Sequence, residues 1–259
     1  MRYFIRLAYN GADFHGWQIQ PHDTSVQQAL EQALATVLRT TVAVTGAGRT
    51  DTGVNARTMY AHFDVETPIA DTVALCRSLN GLLGRNVAVY VIFPVADDAH
   101  ARFDATSRTY KYFLHTAKSP FLYPLSWECH FNLDFDLMNE AAQHLLHYTD
   151  FTSFSKLHTD VKTNNCRVTH ARWERVKPVA DGSSGEWVGE QWVFTITADR
   201  FLRNMVRAVV GTLVEVGRHR ITVQEFCRII EAQDRCEAGN SMPGNALFLW
   251  DITYPFPLQ

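Results

Sequence analysis

The segment from Gly46 to Ala56, GAGRTDTGVNA, holds the residue types best suited to chemistry: one carboxylate, Asp51, between Arg49 and Gly53 on a short polar stretch. A carboxylate so placed can serve as a nucleophile, a general base or a fixed charge beside a developing cation. The spacing excludes two commoner loops. Gly46 and Gly48 begin a G-x-G pattern, but its third glycine would fall at Asp51, whose charge repels a pyrophosphate. No Gly-Lys-Ser/Thr follows, so a P-loop is excluded as well. The glycines permit positive φ or close approach of a ligand. The plainer alternative is an ordinary turn, in which Asp51 accepts hydrogen bonds from its own backbone.

Arginines form the second group. A helix predicted over 200–216 buries Phe201, Leu202, Met205, Val206, Val209, Val210 and Leu213, leaving Arg200, Arg203 and Arg207 at spacings of three and four on another face. Such a row suits phosphates or a buried carboxylate. The whole chain is slightly acidic, with a formal charge of −3, which taken alone argues against a nucleic-acid partner. The charge is segregated, however: residues 100–118, 155–177 and 199–220 carry +3, +4 and +3, so the remainder carries −13. Near these windows stand Phe103, Tyr110, Tyr112, Phe113, Phe154 and Trp173, aromatic rings of the kind on which unstacked bases rest, although aromatic residues more often belong to a core. Other constellations are weaker. His144 and His147 lack further ligand-spaced partners for a metal, no G-x-S-x-G elbow exists, and Cys166 beside His170 has no orienting third group.

These residues need a scaffold, and 259 residues at 46% hydrophobic content can bury a sizeable core. The five cysteines are scattered without a CxxC, so neither a disulfide framework nor a zinc knuckle is expected. No apolar run reaches membrane-spanning length and the opening MRYFIRLAYNG does not resemble a signal peptide, so a cytoplasmic protein without a membrane partner is expected. Strands are predicted at 2–9, 42–46, 59–66, 87–95, 107–116, 170–179, 186–198 and 247–253. A hairpin turn is expected at Asp181–Gly185, and the Asp51 loop runs from Ala47 to Arg57. Helices are predicted from Ser25, over 71–83, from Asp136 to Tyr148, over 200–216 and over 222–232, with capping-box signatures at Ser25/Gln28 and Thr222/Glu225. This interleaving without strict βαβ order favours an α+β fold with a mixed, largely antiparallel central sheet flanked by helices. A boundary near residue 100 would divide it into 1–100, with the Asp loop, and 101–259.

The ordered motifs are similar to those of a known family. GRTDTGVNA (48–56) resembles the GRTDAGVHA signature of the tRNA pseudouridine synthase A family. Tyr9-Asn10-Gly11 through Gly16-Trp17-Gln18-Ile19-Gln20, Ala101-Arg102-Phe103 with Arg108-Thr109-Tyr110-Lys111-Tyr112, Asp150-Phe151-Thr152-Ser153-Phe154, and Phe201-Leu202 with Met205-Val206-Arg207 resemble its other motifs in order. The resemblance implies isomerisation of uridine to pseudouridine at positions 38, 39 and 40 of the tRNA anticodon stem-loop, with no cofactor and no metal required. It further implies two similar α/β halves around a cleft, the pseudouridine synthase fold, and a homodimer gripping tRNA. By the same resemblance Asp51 is the catalytic aspartate, Arg207 its ion-pair partner and Tyr110 the ring against the target base. Leu247 lines the pocket, while Arg49 and Arg203 bind substrate. An intact Asp51, Tyr110 and Arg207 set argues against an RNA-binding protein without turnover. Thr52, Asn55 and Ala246 replace the family's usual alanine, histidine and glycine, changes that bear on substrate selection more than on the reaction.

Overall fold

The computed structural model describes residues 1–156, 163–176 and 189–258. In chain order its elements are β1 (Arg2–Tyr9), α1 (Val26–Leu38), β2 (Val44–Gly46), β3 (Asn55–Asp64), α2 (Thr72–Leu82), β4 (Val87–Val95), β5 (Ser107–His115), β6 (Trp127–Glu128), α3 (Phe135–His144), β7 (Val168–Arg175), β8 (Gln191–Ala198), α4 (Met205–Gly217), α5 (Val223–Ala232) and β9 (Leu247–Thr253). The expected turn at Asp181–Gly185 and the ends of its flanking strands lie outside the described residues. The fold is α+β, in two compact units: Met1–Arg108 with Leu249–Gln259, and Thr109–Phe248. In each, a largely antiparallel sheet is flanked by helices.

In the first unit β1 is central and pairs antiparallel with β3 and β4, while β2 and the end of β9 adjoin β3. Alternation along β1 decides what each face meets. Tyr3, Ile5, Leu7 and Tyr9 are all buried on one side. On the other, Phe4 is closed over by Tyr254 and Phe256, at ring-centroid distances of 5.6 and 6.0 Å, but Arg6 is only half-buried. Helix α1 starts where Ser25 Oγ accepts from the Gln28 N–H at 3.2 Å, and it buries Val26, Leu30, Ala33 and Leu34. Each fully buried leucine of that stripe stabilises the unit by roughly 1.5–3 kcal/mol.

In the second unit β8 lies between β5 and β7, and the two-residue β6 runs parallel to β5 through Leu114↔Trp127. Helix α4 buries every residue except Arg207 and Glu215, the pattern of a core helix that touches its surroundings all round. Helix α5 carries a complete capping box: the Thr222 N–H donates to Glu225 Oε2 at 2.7 Å and the Glu225 N–H to Thr222 Oγ1 at 3.1 Å. Among the described residues no helix is long and apolar enough to cross a membrane.

Three expectations are corrected. The helix expected from residue 200 begins at Met205, because Asn204 adopts a left-handed conformation with φ 68°. Asparagine tolerates that conformation and an α-helix does not contain it. Arg200 and Arg203 therefore precede the helix, and the row of three arginines on one helical face does not form. Strand β3 begins at Asn55 rather than at 59, which shortens the Asp51 loop to 47–54. Of the aromatics proposed as stacking surfaces, Tyr112, Phe154 and Trp173 are core residues, whereas Phe103 is 74% exposed.

Candidate functional site

The loop carrying Asp51 has no regular structure and is anchored by hydrogen bonds to residues 9–17 and to β3. At its start the Ala47 N–H donates to the Tyr60 carbonyl at 2.8 Å. Further on, the Trp17 N–H reaches the Thr50 carbonyl at 3.3 Å and the Gly53 N–H the Phe14 carbonyl at 3.2 Å. Two buried side chains complete the frame: Tyr9 Oη lies 2.9 Å from Thr50 Oγ1, and the Gly11 N–H donates to Asn55 Oδ1 at 2.8 Å. The approach is so close that a Cβ on Gly11 would stand 2.3 Å from the Val54 carbonyl oxygen, and one on Gly16, where φ is 94°, the same distance from that of Thr50. Only glycine fits at these two positions.

Asp51 sits half-buried between the buried Thr50 and the exposed Thr52, immediately before a turn closed by the Val54 N–H on the Asp51 carbonyl at 3.1 Å. Asn55 faces inward, is 1% exposed and satisfies the buried Gly11 N–H. Arg49 is exposed on the same loop. Arg108 adds a support that sequence reading missed, donating to the carbonyls of Ala47, Arg102 and Ala105 at 3.1, 2.6 and 2.8 Å. The signal was its place in a dense motif, but its carbonyl partners carry no sequence signature.

The other site residues belong to the second unit. Tyr110, on β5, is 9% exposed, with its ring edge-on to Phe201 at 5.1 Å between centroids. Arg207 is held twice to one residue, donating from Nε to the Met242 carbonyl at 2.5 Å and accepting the Met242 N–H on its own carbonyl at 3.1 Å. Its guanidinium also acts on the interior: burial pushes the Tyr112 phenol far above its usual range, and the Arg207 charge opposes that rise. The Tyr112 hydroxyl has no hydrogen-bond partner among the described residues. Leu247 is buried at the start of β9, after a 3₁₀ turn that ends in the fully buried Ala246. Arg203 is exposed in the turn before α4, where its carbonyl accepts the Lys156 N–H at 3.0 Å. The structure thus groups Arg49 with Asp51 in one unit, and Tyr110, Arg203, Arg207 and Leu247 in the other.

Part of the charge in the basic windows is committed internally. Arg218 and Arg220 both pair with Glu215, at 3.1 and 3.4 Å, and Arg175 pairs with Glu190 at 2.9 Å. Among the described residues no cluster of three or more His, Cys, Asp or Glu side chains has metal-binding geometry.

Known proteins resemble this chain along its length. The profile of the tRNA pseudouridine synthase family matches residues 141–255, which include Arg203, Arg207 and Leu247. A tRNA pseudouridine synthase A of Parabacteroides distasonis is 58% identical over 261 residues, covering 100% of this chain and 99% of the relative. The protein of the same name from Bacteroides thetaiotaomicron is 57% identical, covering 98% and 91%, and that from Colwellia psychrerythraea is 38% identical, covering 98% and 94%. These alignments extend over the Asp51 loop and β5 as well.

Proposed function

The chain belongs to the tRNA pseudouridine synthase family, enzymes that convert uridine to pseudouridine in tRNA, and from that premise we propose that its targets are positions 38, 39 and 40 of the anticodon stem-loop. We further propose that it works as a cytoplasmic homodimer, without cofactor or metal.

The isomerisation breaks the N1–C1′ bond and joins C5 to C1′; the C5 proton is lost and N1 takes one up, so no redox equivalent is needed. The observation that best supports the reading is the Asp51 loop: one carboxylate on a backbone anchored by hydrogen bonds at Thr50 before it and at Gly53 and Asn55 after it. A fixed carboxylate can attack C1′ or C6, or remove a proton at the 2′ position, and each route needs a charge held in place rather than a mobile one. In this reading Arg207 balances the Asp51 charge, the Tyr110 ring lies against the target base and Leu247 closes the pocket. Arg49 and Arg203 hold the flipped nucleotide through its phosphates. A target inside a paired stem must leave the helix, at a cost of a few kcal/mol that contacts to the backbone offset.

The test is Asp51→Asn, which preserves shape while removing the charge. Tritium release from C5-labelled tRNA is expected to fall at least ~10³-fold with the melting temperature unchanged. Release at the unaltered rate would overturn the role of Asp51. Sequencing of tRNA modified by the protein tests positions 38 to 40, and pseudouridine confined to other positions would overturn that choice.

A further inference from the structure

Arg6, Arg57, Thr58, Tyr90, Trp250 and Asp251 line a cavity of about 450 Å³ on the first unit's sheet, inside the ~300–1,000 Å³ range of small-ligand sites. They come from four neighbouring strands in the order β4, β1, β3, β9. None lies in the three basic windows, and none belongs to the Asp51 loop.

Two irregularities of the sheet meet here. Between β1 and β4 the register passes from Arg6↔Val91 to Leu7↔Val89, which leaves Tyr90 as an extra residue. Between β1 and β3 it passes from Leu7↔Met59 to Tyr9↔Ala56, so Arg57 and Thr58 stand opposite the single residue Ala8. Bulges of this kind re-aim side chains and are over-represented beside binding sites. Tyr90 is consequently 55% exposed although it lies in the middle of a strand.

The chemistry of the lining is specific. The Arg6 guanidinium carbon lies 5.5 Å from the Tyr90 ring centroid and that of Arg57 lies 4.4 Å from the Trp250 ring. An arginine held against a ring keeps its edge N–H groups available to an anion, and both the ring and the guanidinium plane accept a stacked base. Arg6 Nε is shielded from solvent and has no hydrogen-bond partner among the described residues, so the guanidinium carries an uncompensated desolvation cost. Two cations against one carboxylate favour an anionic ligand, and Asp251 can accept from a ribose hydroxyl or a base amino group.

We propose that this cavity binds one unpaired nucleotide of the RNA substrate, its base stacked at Tyr90 and its phosphate held by Arg6 and Arg57. The proposal rests on the reading that the substrate is RNA. A second copy of this chain is the competing occupant, and two arginines against one carboxylate favour the nucleotide's phosphate over it.

The experiment measures binding of a labelled ten-nucleotide single-stranded oligoribonucleotide to the full chain, together with steady-state pseudouridine formation on a tRNA transcript. Tyr90→Ala is expected to weaken oligonucleotide binding about tenfold and Tyr90→Phe, which keeps the ring, less than twofold. Arg57→Ala should lower the slope of log affinity against log salt by about one. Tyr90→Ala and Arg57→Ala should raise KM for tRNA more than they lower kcat. Unchanged oligonucleotide binding in both variants would overturn the proposal, as would a fall in oligomeric mass by light scattering on Tyr90→Ala with RNA affinity intact. Failure of the unaltered protein to form pseudouridine would overturn the enzymatic reading instead, and the oligonucleotide measurement would still decide the cavity.

Discussion

The loop around Asp51 and the helix that starts at Met205 hold Asp51 and Arg207 by opposite means. The loop depends on a few directional bonds: Tyr9 to Thr50, Gly11 to Asn55, Trp17 to Thr50 and Arg108 to Ala47. Helix α4 depends on burial around almost its full circumference, and Arg207 is one of the two residues that burial spares. Packing is distributed over many contacts and tolerates the loss of one, whereas a buried donor stripped of its acceptor costs the full desolvation penalty. Precise placement of a charge on an irregular loop therefore comes from hydrogen bonds, and a fixed direction for a helical side chain comes from the helix being unable to roll.

Four substitutions test that contrast, beyond Asp51→Asn. The largest effect is expected from Arg207→Lys, which keeps the charge but loses the Nε–H bonded to the Met242 carbonyl; kcat should fall ~10–100-fold with little change in melting temperature. A fall in stability equal to the fall in activity would show the clamp to be structural alone. Next comes Asn55→Ala, which leaves the Gly11 N–H buried without an acceptor and should cost ~1–3 kcal/mol by denaturant titration, with activity reduced in parallel. If stability held, the loop would not depend on that bond and the contrast would collapse. Tyr9→Phe removes the partner of Thr50 and should cost about 1 kcal/mol, with a measurable decrease in kcat. The smallest effect on function belongs to Thr222→Ala in the second unit: about 1 kcal/mol of stability from the lost cap, with kcat and KM unaltered. A change in kcat there would tie α5 to the reaction and blur the division between holding and acting.

Much of the scaffold is legible in the sequence. The strand at 2–9 coincides with β1, that at 87–95 with β4, and the two capping signatures mark the starts of α1 and α5. These elements are set by neighbours within a few residues, which is where periodicity and capping operate. The start of α4 escapes the sequence for the same reason. Phe201 and Leu202 continue the apolar stripe of the helix, but Asn204 turns left-handed, and nothing in the spacing registers the difference. The basic windows likewise suggest charge available to a nucleic acid, yet Arg108, Arg175, Arg218 and Arg220 are bound to carbonyls or carboxylates. The proposed nucleotide cavity draws instead on Arg6 and Arg57, which no window contained.

The family, the reaction class and the single carboxylate in GRTDTGVNA follow from residue types in order along the chain, because chemistry needs particular groups and a motif preserves them at short range. Tertiary structure alone decided that Asn55 faces inward to bond Gly11, that Arg207 is tied to Met242, and that Arg6, Tyr90 and Trp250 share one cavity. Each of these joins residues dozens to hundreds of positions apart through strand register, bulges and close backbone approach. Such quantities arise only when distant segments pair, so no local pattern encodes them.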